Sequence, residues 1–313
     1  MSAPSRGPAA AAPVSSDTGD RHPLGKPSHT ARLADSDFEQ LREYVYRRTG
    51  IQFAASKRYF VDKRIYALMA ESGEANFAGY FSLLRLGDEA LIQDLVNALT
   101  VNETYFLRED YQFGCLVNSV LPRVLADRKA KGLGREPVRI LSLPSSTGEE
   151  PYSIAIRLLE DWPEIDRVDV ALVAGDIDTR VLAAARAGVY SERSVNKLPE
   201  PLLRKYFRRF GDDGYRIVDD LRGAVTFDRI NICDTRSMQP YRSFDVIFCR
   251  NLLIYFDEMS SRIATENLFG ALRPGGYLFL GHSESMSRIS SIFTPHRFPD
   301  ALVYQRPDPG ERR

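Results

Sequence analysis

Val138-Arg139-Ile140-Leu141-Ser142-Leu143-Pro144-Ser145-Ser146-Thr147-Gly148-Glu149-Glu150-Pro151-Tyr152-Ser153 reads as a strand, a tight turn and the opening of a helix. The apolar run Val138–Leu143 has the length of a buried strand, and the small residues after it permit a sharp turn. A helix then extends from about Glu149 to Leu159. The same unit recurs downstream: a strand at Val168–Ala174 is followed by a helix at Thr179–Ala187, with Asp178 as its N-cap. Phe244–Cys249 is a third strand, Glu258–Leu272 a helix and Tyr277–Leu280 a fourth strand, with Ala301–Gln305 as the last. Strands alternating with helices predict a mostly parallel sheet covered on both faces. Tyr215–Asp219 and Val225–Arg229 read as a small antiparallel insertion, at about residues 211–230.

Upstream the periodicity is helical. Phe38, Leu41 and Val45 form an apolar stripe, Ser36 with Glu39 has the spacing of a capping box, and Gly50 is placed to close the helix. A second helix is expected over about Lys57 to Met69, and others around Phe77–Leu86 and Glu89–Leu99. Val101 to Arg108 is a connector, and a longer helix runs from Tyr111 towards Lys129. The organisation expected is a tail over 1–31, a helical domain over 32–104, an α/β domain over 105–306 and a second tail over 307–313. Both tails are expected to be disordered, since the first thirty residues are rich in Ala, Pro, Ser and Gly.

Composition bounds the function. The 313 residues are 43% hydrophobic and 27% charged, ordinary for a globular protein. Forty-two basic residues balance forty-two acidic ones, which removes the general argument for a nucleic-acid partner. Cys115, Cys233 and Cys249 are too far apart for a CxxC motif, so neither a metal site nor a disulfide framework is expected. There is no apolar run near 18 residues, hence no expected membrane insertion. A cytoplasmic location follows from these features as an expectation.

In an open α/β sheet, ligands bind beyond the carboxyl ends of the strands, so the residues just after each strand carry the chemistry. The Ser145–Ser153 turn lacks G-x-G-x-x-G spacing, and its two glutamates would repel a phosphate. A cationic ligand with an amino-acid tail suits Glu149 or Glu150 better, although acidic residues in a first helical turn also complement the helix dipole. Asp176, in Gly175-Asp176-Ile177-Asp178, is placed to accept both hydroxyls of a ribose. Arg250 and Asn251 are polar residues inserted between apolar segments, as a ligand floor or as a buried ion pair. Cys249 reads as a buried small hydrophobe. Leu272-Arg273-Pro274-Gly275-Gly276 reads as a structural turn before the fourth strand, and His282 is a weak candidate base.

These motifs together resemble the chemotaxis receptor methyltransferases of the CheR family. The match is carried by Asn102-Glu103-Thr104-Tyr105-Phe106-Leu107-Arg108, Ser146-Thr147-Gly148-Glu149-Glu150-Pro151-Tyr152-Ser153, Asp176-Ile177-Asp178 and Phe248-Cys249-Arg250-Asn251. Thr49-Gly50-Ile51, with Lys57 and Arg64, is similar to the family's amino-terminal helical domain. The resemblance implies a Rossmann-like class I methyltransferase domain behind that helical domain. It also implies S-adenosylmethionine as cofactor and S-adenosylhomocysteine as product. Asn102, Thr104 and Arg108 would line the cofactor, Glu150 would hold it, and Asp176 would take its ribose. Asn231 and Ile232 would lie near the adenine, with Arg250 and Asn251 completing the site. Arg108 and Tyr255 would act near the transferred methyl.

The implied reaction is methylation of glutamate side chains in the cytoplasmic helical region of chemoreceptors, by a monomer. Lys57, Arg58, Lys63 and Arg64 lie on one short helix and are expected to dock glutamate-rich receptor helices. The alternatives are a methyltransferase acting on RNA or a small molecule, or a signalling module that binds the cofactor without transferring methyl. Three departures from the family pattern stand out. Leu143-Pro144-Ser145 replaces smaller residues, and Leu107 replaces an aromatic. The short acidic loop Gly211-Asp212-Asp213-Gly214 suggests that no receptor peptide tether is needed.

Overall fold

The computed structural model describes residues 32–309, so the tail expected over 1–31 and the last residues of the second tail lie outside the described residues. Four helices come first: Asp35–Thr49, Arg58–Ser72, Phe77–Leu86 and Glu89–Leu99. Each ends where the sequence offers a stop. Gly50, Gly73 and Gly87 take left-handed backbones after the first three. Asn76 and Asp88 cap the last two, with side-chain oxygens accepting from Gly79 N and from Ala90 and Leu91 N. The capping box expected at Ser36 does not form. The first helix starts two residues earlier than a Ser36 cap would place it, Ala34 is its N-cap without a side-chain bond, and Asp35 and Asp37 face the helix dipole instead. Phe38, Leu41, Val61, Ile65, Tyr80, Leu84 and Leu95 close a core of their own.

The expected helix after Tyr111 is interrupted. It runs as Tyr111–Cys115, a π turn over Leu116–Val120 and a further helix over Leu121–Ala130, with Pro122 inside the last one's first turn. Ten strands follow: β1 (Val138–Ser142), β2 (Val170–Asp176), β3 (Val189–Ser191), β4 (Phe207–Phe210), β5 (Gly214–Ile217), β6 (Val225–Arg229), β7 (Phe244–Cys249), β8 (Leu272–Leu280), β9 (Thr294–Arg297) and β10 (Leu302–Gln305).

The large sheet has the order β6-β2-β1-β7-β8-β10-β9. The first five of these strands are parallel to one another, while β10 is antiparallel to both of its neighbours. The chain winds one way from β1 and then the other way through β7, so the strand order reverses between β1 and β7. A crevice opens at such a switch point. The helix Glu149–Asp161 and the π-interrupted helix pack on one face, and the helix Glu258–Ala271 packs on the other.

Three expectations change. Val225–Arg229 does not belong to the antiparallel insertion. It pairs in parallel with β2, Leu172 opposite Val225, and is an edge strand of the large sheet. The insertion is the separate sheet β3-β5-β4, lying earlier in the chain. Both segments carry short alternating patterns, and only pairing distinguishes an edge strand from a hairpin. Second, β2 runs two residues further than expected, so Asp176 is its last residue. Third, Leu272–Gly276 is no simple turn. The β7–β8 register jumps from Phe244↔Leu272 to Val246↔Tyr277. The bulged residues are closed by Gly275 N donating to Arg306 O at 2.8 Å, and Arg306 N to Gly276 O at 2.9 Å.

Beneath the sheet, at the end opposite the crevice, Asp245 is fully buried. Arg128 Nη1 donates to it at 2.9 Å, Arg273 Nε at 2.5 Å and Arg139 N at 2.8 Å. Lys131, next to this cluster, pairs with Asp308 at 2.8 Å, which holds the start of the segment expected to be a free tail. Among the described residues no helix is long and apolar enough to cross a membrane. Asp245→Ala would leave Arg128 buried without a charge partner and Arg273 with Asp127 alone, and we expect it to cost about 3–5 kcal/mol. Urea unfolding measures this, while the ligand affinity of the folded fraction should stay unchanged because the crevice is at the other end of the strands.

Candidate active site

The ends of β1, β2, β6 and β7 open into one cleft, and the helical domain forms its far wall. From the sheet come Ser145, Ser146, Asp176, Ile177, Asn231, Ile232, Arg250 and Asn251. From the helical domain and connector come Thr49, Ile51, Leu99, Thr100 and Asn102 to Tyr105. The empty space of the cleft, open solvent included, is about 1070 Å³. Every residue expected to bind cofactor lines it: Asn102, Thr104, Arg108, Glu150, Asp176, Asn231, Ile232, Arg250 and Asn251. Tyr255 lines it as well.

The turn after β1 is shaped by backbone geometry. Gly148 has φ +95°, and a Cβ there would sit 3.0 Å from Ala185 Cβ and 3.1 Å from the Tyr190 hydroxyl. Only glycine suits both constraints. Ser146 is also left-handed, at φ 47°, and its N–H donates to Asp176 Oδ2 at 2.8 Å. Asp178 N donates to Asp176 Oδ1 at 3.0 Å, so both oxygens are oriented by backbone donors. Burial pushes the Asp176 carboxyl up to about 6. Asp178 does cap the following helix, and its Oδ2 also accepts from Thr100 Oγ1 at 2.6 Å and Asn102 Nδ2 at 2.9 Å. Asn102 is therefore committed to Asp178 and fixes the connector to the sheet.

The two glutamates of the turn separate clearly. Glu149 is buried away from the cleft, accepting from Thr147 Oγ1 at 2.6 Å and Ser194 Oγ at 2.9 Å. Glu150 faces the cleft and accepts from Ser142 Oγ at 2.8 Å and Arg250 Nη1 at 3.1 Å. Burial pushes both carboxyls up, and at Glu150 the Arg250 charge opposes that shift. Arg250 is a buried ion pair as well as cleft lining. It also donates to the Arg108 carbonyl at 2.6 Å and lies 3.3 Å from Glu109 Oε2. Desolvation works to raise Glu109, but bonds from His282 and Arg250 outweigh it and hold the carboxyl below the usual range. His282 Nδ1 lies 2.8 Å from Glu109, its side chain is 65% exposed, and it does not line the cleft. It makes a poor base for chemistry there.

The connector is pinned so that Arg108 points where it does. Phe106 is fully buried, edge-on to Tyr190 at 4.8 Å and Phe207 at 5.1 Å, and Leu107 N donates to Ser153 Oγ at 3.0 Å. Leu107 and Glu109, either side of Arg108, are both left-handed. Arg108 Nη1 is braced on the Glu103 carbonyl at 2.9 Å. Tyr255, also in the cleft lining, closes the 3-10 turn Leu253–Tyr255, and its carbonyl accepts from Gln52 N at 3.1 Å. Asn231 is partly spent on structure: Nδ2 donates to Arg48 O at 2.6 Å and Oδ1 accepts from Cys233 N at 3.0 Å.

The four cations of the second helix do not form one surface. Arg58 pairs with Asp35 at 2.6 Å, reaches the Leu33 carbonyl and lies 4.6 Å over the Phe38 ring. It holds the start of the first helix rather than facing solvent. Arg64 lies 3.5 Å over Phe60, in a groove that shares Thr100 to Glu103 with the cleft, while Lys57 and Lys63 are exposed.

Sequence reading missed Ser142, Glu109 and Glu284. Glu284 follows β8 in Gly281-His282-Ser283-Glu284, so the same strand-end rule could have found it. Ser142, the last residue of β1, falls under the same rule, whereas Glu109 carries no such signal.

Comparison with known proteins agrees with this geometry. A family model described as "CheR methyltransferase, SAM binding domain" matches residues 102–300, and "CheR methyltransferase, all-alpha domain" matches residues 36–100. Chemotaxis protein methyltransferase 2 of Vibrio cholerae is 48% identical over 89% of this chain and 96% of its own. The protein of the same name from Pseudomonas aeruginosa is 40% identical over 82% of this chain and 89% of its own. The chemotaxis protein methyltransferase of Borreliella burgdorferi is 34% identical over 81% and 89%. Two matched domains in the order the fold displays, and relatives spanning most of both chains, establish that this chain belongs to the CheR methyltransferase family.

Proposed function

We propose that this chain transfers methyl from S-adenosylmethionine to glutamate side chains in the cytoplasmic helical region of chemoreceptors, giving methyl esters and S-adenosylhomocysteine. The observation that carries this reading is that Arg108, Glu150, Asp176 and Tyr255, drawn from four separate segments, line one cleft walled by the helical domain. We take the working form to be a cytoplasmic monomer with no nucleic-acid partner.

The residues present fit the cofactor. Ser145 Oγ, Ser146 Oγ and Arg250 Nε are buried in the cleft region without a protein partner, which suits a polar ligand seated among them. Asp176 would take the ribose hydroxyls. A carboxylate has about four lone-pair sites, so Glu150 keeps acceptors for a cationic tail beyond those used by Ser142 and Arg250. Asn231 and Ile232 would face the adenine. Asn102, Thr104, Arg250 and Asn251 would frame the rest. When bound, S-adenosylmethionine supplies a sulfonium methyl that a carboxylate oxygen takes by in-line displacement, leaving S-adenosylhomocysteine.

The chain itself has little proton chemistry to perform. A substrate glutamate with an ordinary pKa of about 4.3 is already ionised at neutral pH, so no base is required. Arg108 orients the carboxylate by charge-assisted hydrogen bonds, and Tyr255 helps position it. Arg64, beside the groove that continues the cleft, and Lys63 on the exposed face would receive the acidic receptor helix. Arg58, which pairs with Asp35, is left out of that role.

Labelled S-adenosylmethionine with receptor cytoplasmic fragments should yield a base-labile product, and a base-stable product would exclude a carboxyl ester. Arg108→Ala should lower turnover about 100-fold with the fold intact by circular dichroism, and undiminished turnover removes Arg108 from the mechanism. Affinity for S-adenosylhomocysteine should fall as pH drops through about 6, because burial lifts Asp176 to that value and its ionised form is the one that accepts the ribose hydroxyls. Titration calorimetry should show that Asp176→Asn removes this inflection. Charge reversal at Lys63 and Arg64 should raise KM for the receptor fragment, most at low salt, and leave cofactor affinity unchanged.

A further inference from the structure

Asn251 and Tyr255 sit on a loop whose conformation is unfavourable by itself. Asn251 has φ 58°, in the left-handed region that costs a non-glycine residue free energy unless its surroundings hold it. The group that holds it lies outside the cleft. Glu284 Oε2 accepts from Asn251 N at 2.8 Å and from Gly281 N at 2.8 Å, and its Oε1 accepts from Leu253 N at 2.8 Å. Glu284 N in turn donates to Gly281 O at 2.9 Å. One carboxylate thus gathers three backbone N–H groups from the ends of two neighbouring strands, β7 and β8. Gly281 completes the fit. A Cβ there would lie 2.6 Å from Asn251 Nδ2 and 2.9 Å from Asn251 N, so the two loops interlock without spare room.

We infer that Glu284 is a positioning residue of the cofactor site, acting through the Asn251–Tyr255 loop without touching ligand. This rests on the reading of the cleft as the S-adenosylmethionine site. A carboxylate is needed for the task because it only accepts: with three N–H donors converging, both oxygens must present lone pairs. In Glu284→Gln an NH2 group faces either the Leu253 N–H or the pair from Asn251 and Gly281. One set of donors then lacks an acceptor and the left-handed turn loses its support.

The test is equilibrium dialysis of the full chain with labelled S-adenosylhomocysteine, alongside methyl-transfer kinetics. Glu284→Gln is expected to weaken binding by about 10- to 100-fold, the scale of one or two charge-assisted bonds. KM for S-adenosylmethionine should rise in parallel with the loss of affinity. Gly281→Ala keeps the carboxylate but crowds both Asn251 and Glu284 Oε2, which its Cβ would approach to 2.8 Å, and should weaken binding about tenfold. A purely structural role would lower the unfolding midpoint of either variant and leave affinity alone, as expected for Asp245→Ala. Wild-type affinity in either folded variant overturns the inference, whereas a wild-type chain that binds no S-adenosylhomocysteine overturns the reading of the cleft itself. Should neither variant fold, amide exchange in the wild type decides. Asn251 and Leu253 amides already protected without ligand support a preorganised loop, and amides that become protected only with S-adenosylhomocysteine refute it.

Discussion

Arg250 carries a guanidinium whose side chain is 2% exposed, and a cation taken out of water must be met by charge and by acceptors or the fold fails. That requirement organises the site. Glu150 comes to it from the helix after β1, Glu109 from the connector, and the Arg108 carbonyl turns inward to the same guanidinium. Two chain segments, the helix after β1 and the connector, are thereby held to the end of β7. The arrangement leaves the Arg108 side chain standing in the cleft wall while its backbone is fixed below. The ring of Phe113 lies 5.3 Å beneath the guanidinium and completes its enclosure.

A second set of polar ties joins the helical domain to the sheet. Asn97 Nδ2 donates to Thr179 Oγ1 at 2.9 Å, Arg180 pairs with Asp94 at 2.8 Å, and the Tyr46 hydroxyl donates to Asp257 at 2.9 Å. Two of these ties converge on the start of the helix Thr179–Ala187, immediately beyond Asp176. The wall that would confine the cofactor and the strand end that would bind its ribose are thus positioned by the same local network.

Much of this was legible beforehand. Strand-end positions pointed to Asp176, Glu150, Arg250 and Asn251, because a parallel sheet presents its binding groups there, and all four line the cleft. Asn102 and Asn231 also line it, but their side chains are largely occupied by Asp178, Arg48 and Cys233, which no motif discloses. The four cations of the second helix illustrate the converse. They are close in sequence, yet Arg58 is turned inward onto Asp35 and Phe38 while Lys57 and Lys63 face solvent.

By itself the sequence determined the elements, since alternating and 3.6-residue apolar periods, caps and glycine stops are local properties. It also determined the domain order and the strand ends where chemistry would gather. The tertiary structure alone decided which polar groups meet. Glu284 and Asn251 are 33 residues apart, and Arg250 and the Arg108 carbonyl 142. Before folding, those carboxylates are indistinguishable from solvated surface ones. They become specific partners only when strand order and register place them against a desolvated donor, and for the same reason Val225–Arg229 became a sheet edge rather than a hairpin arm.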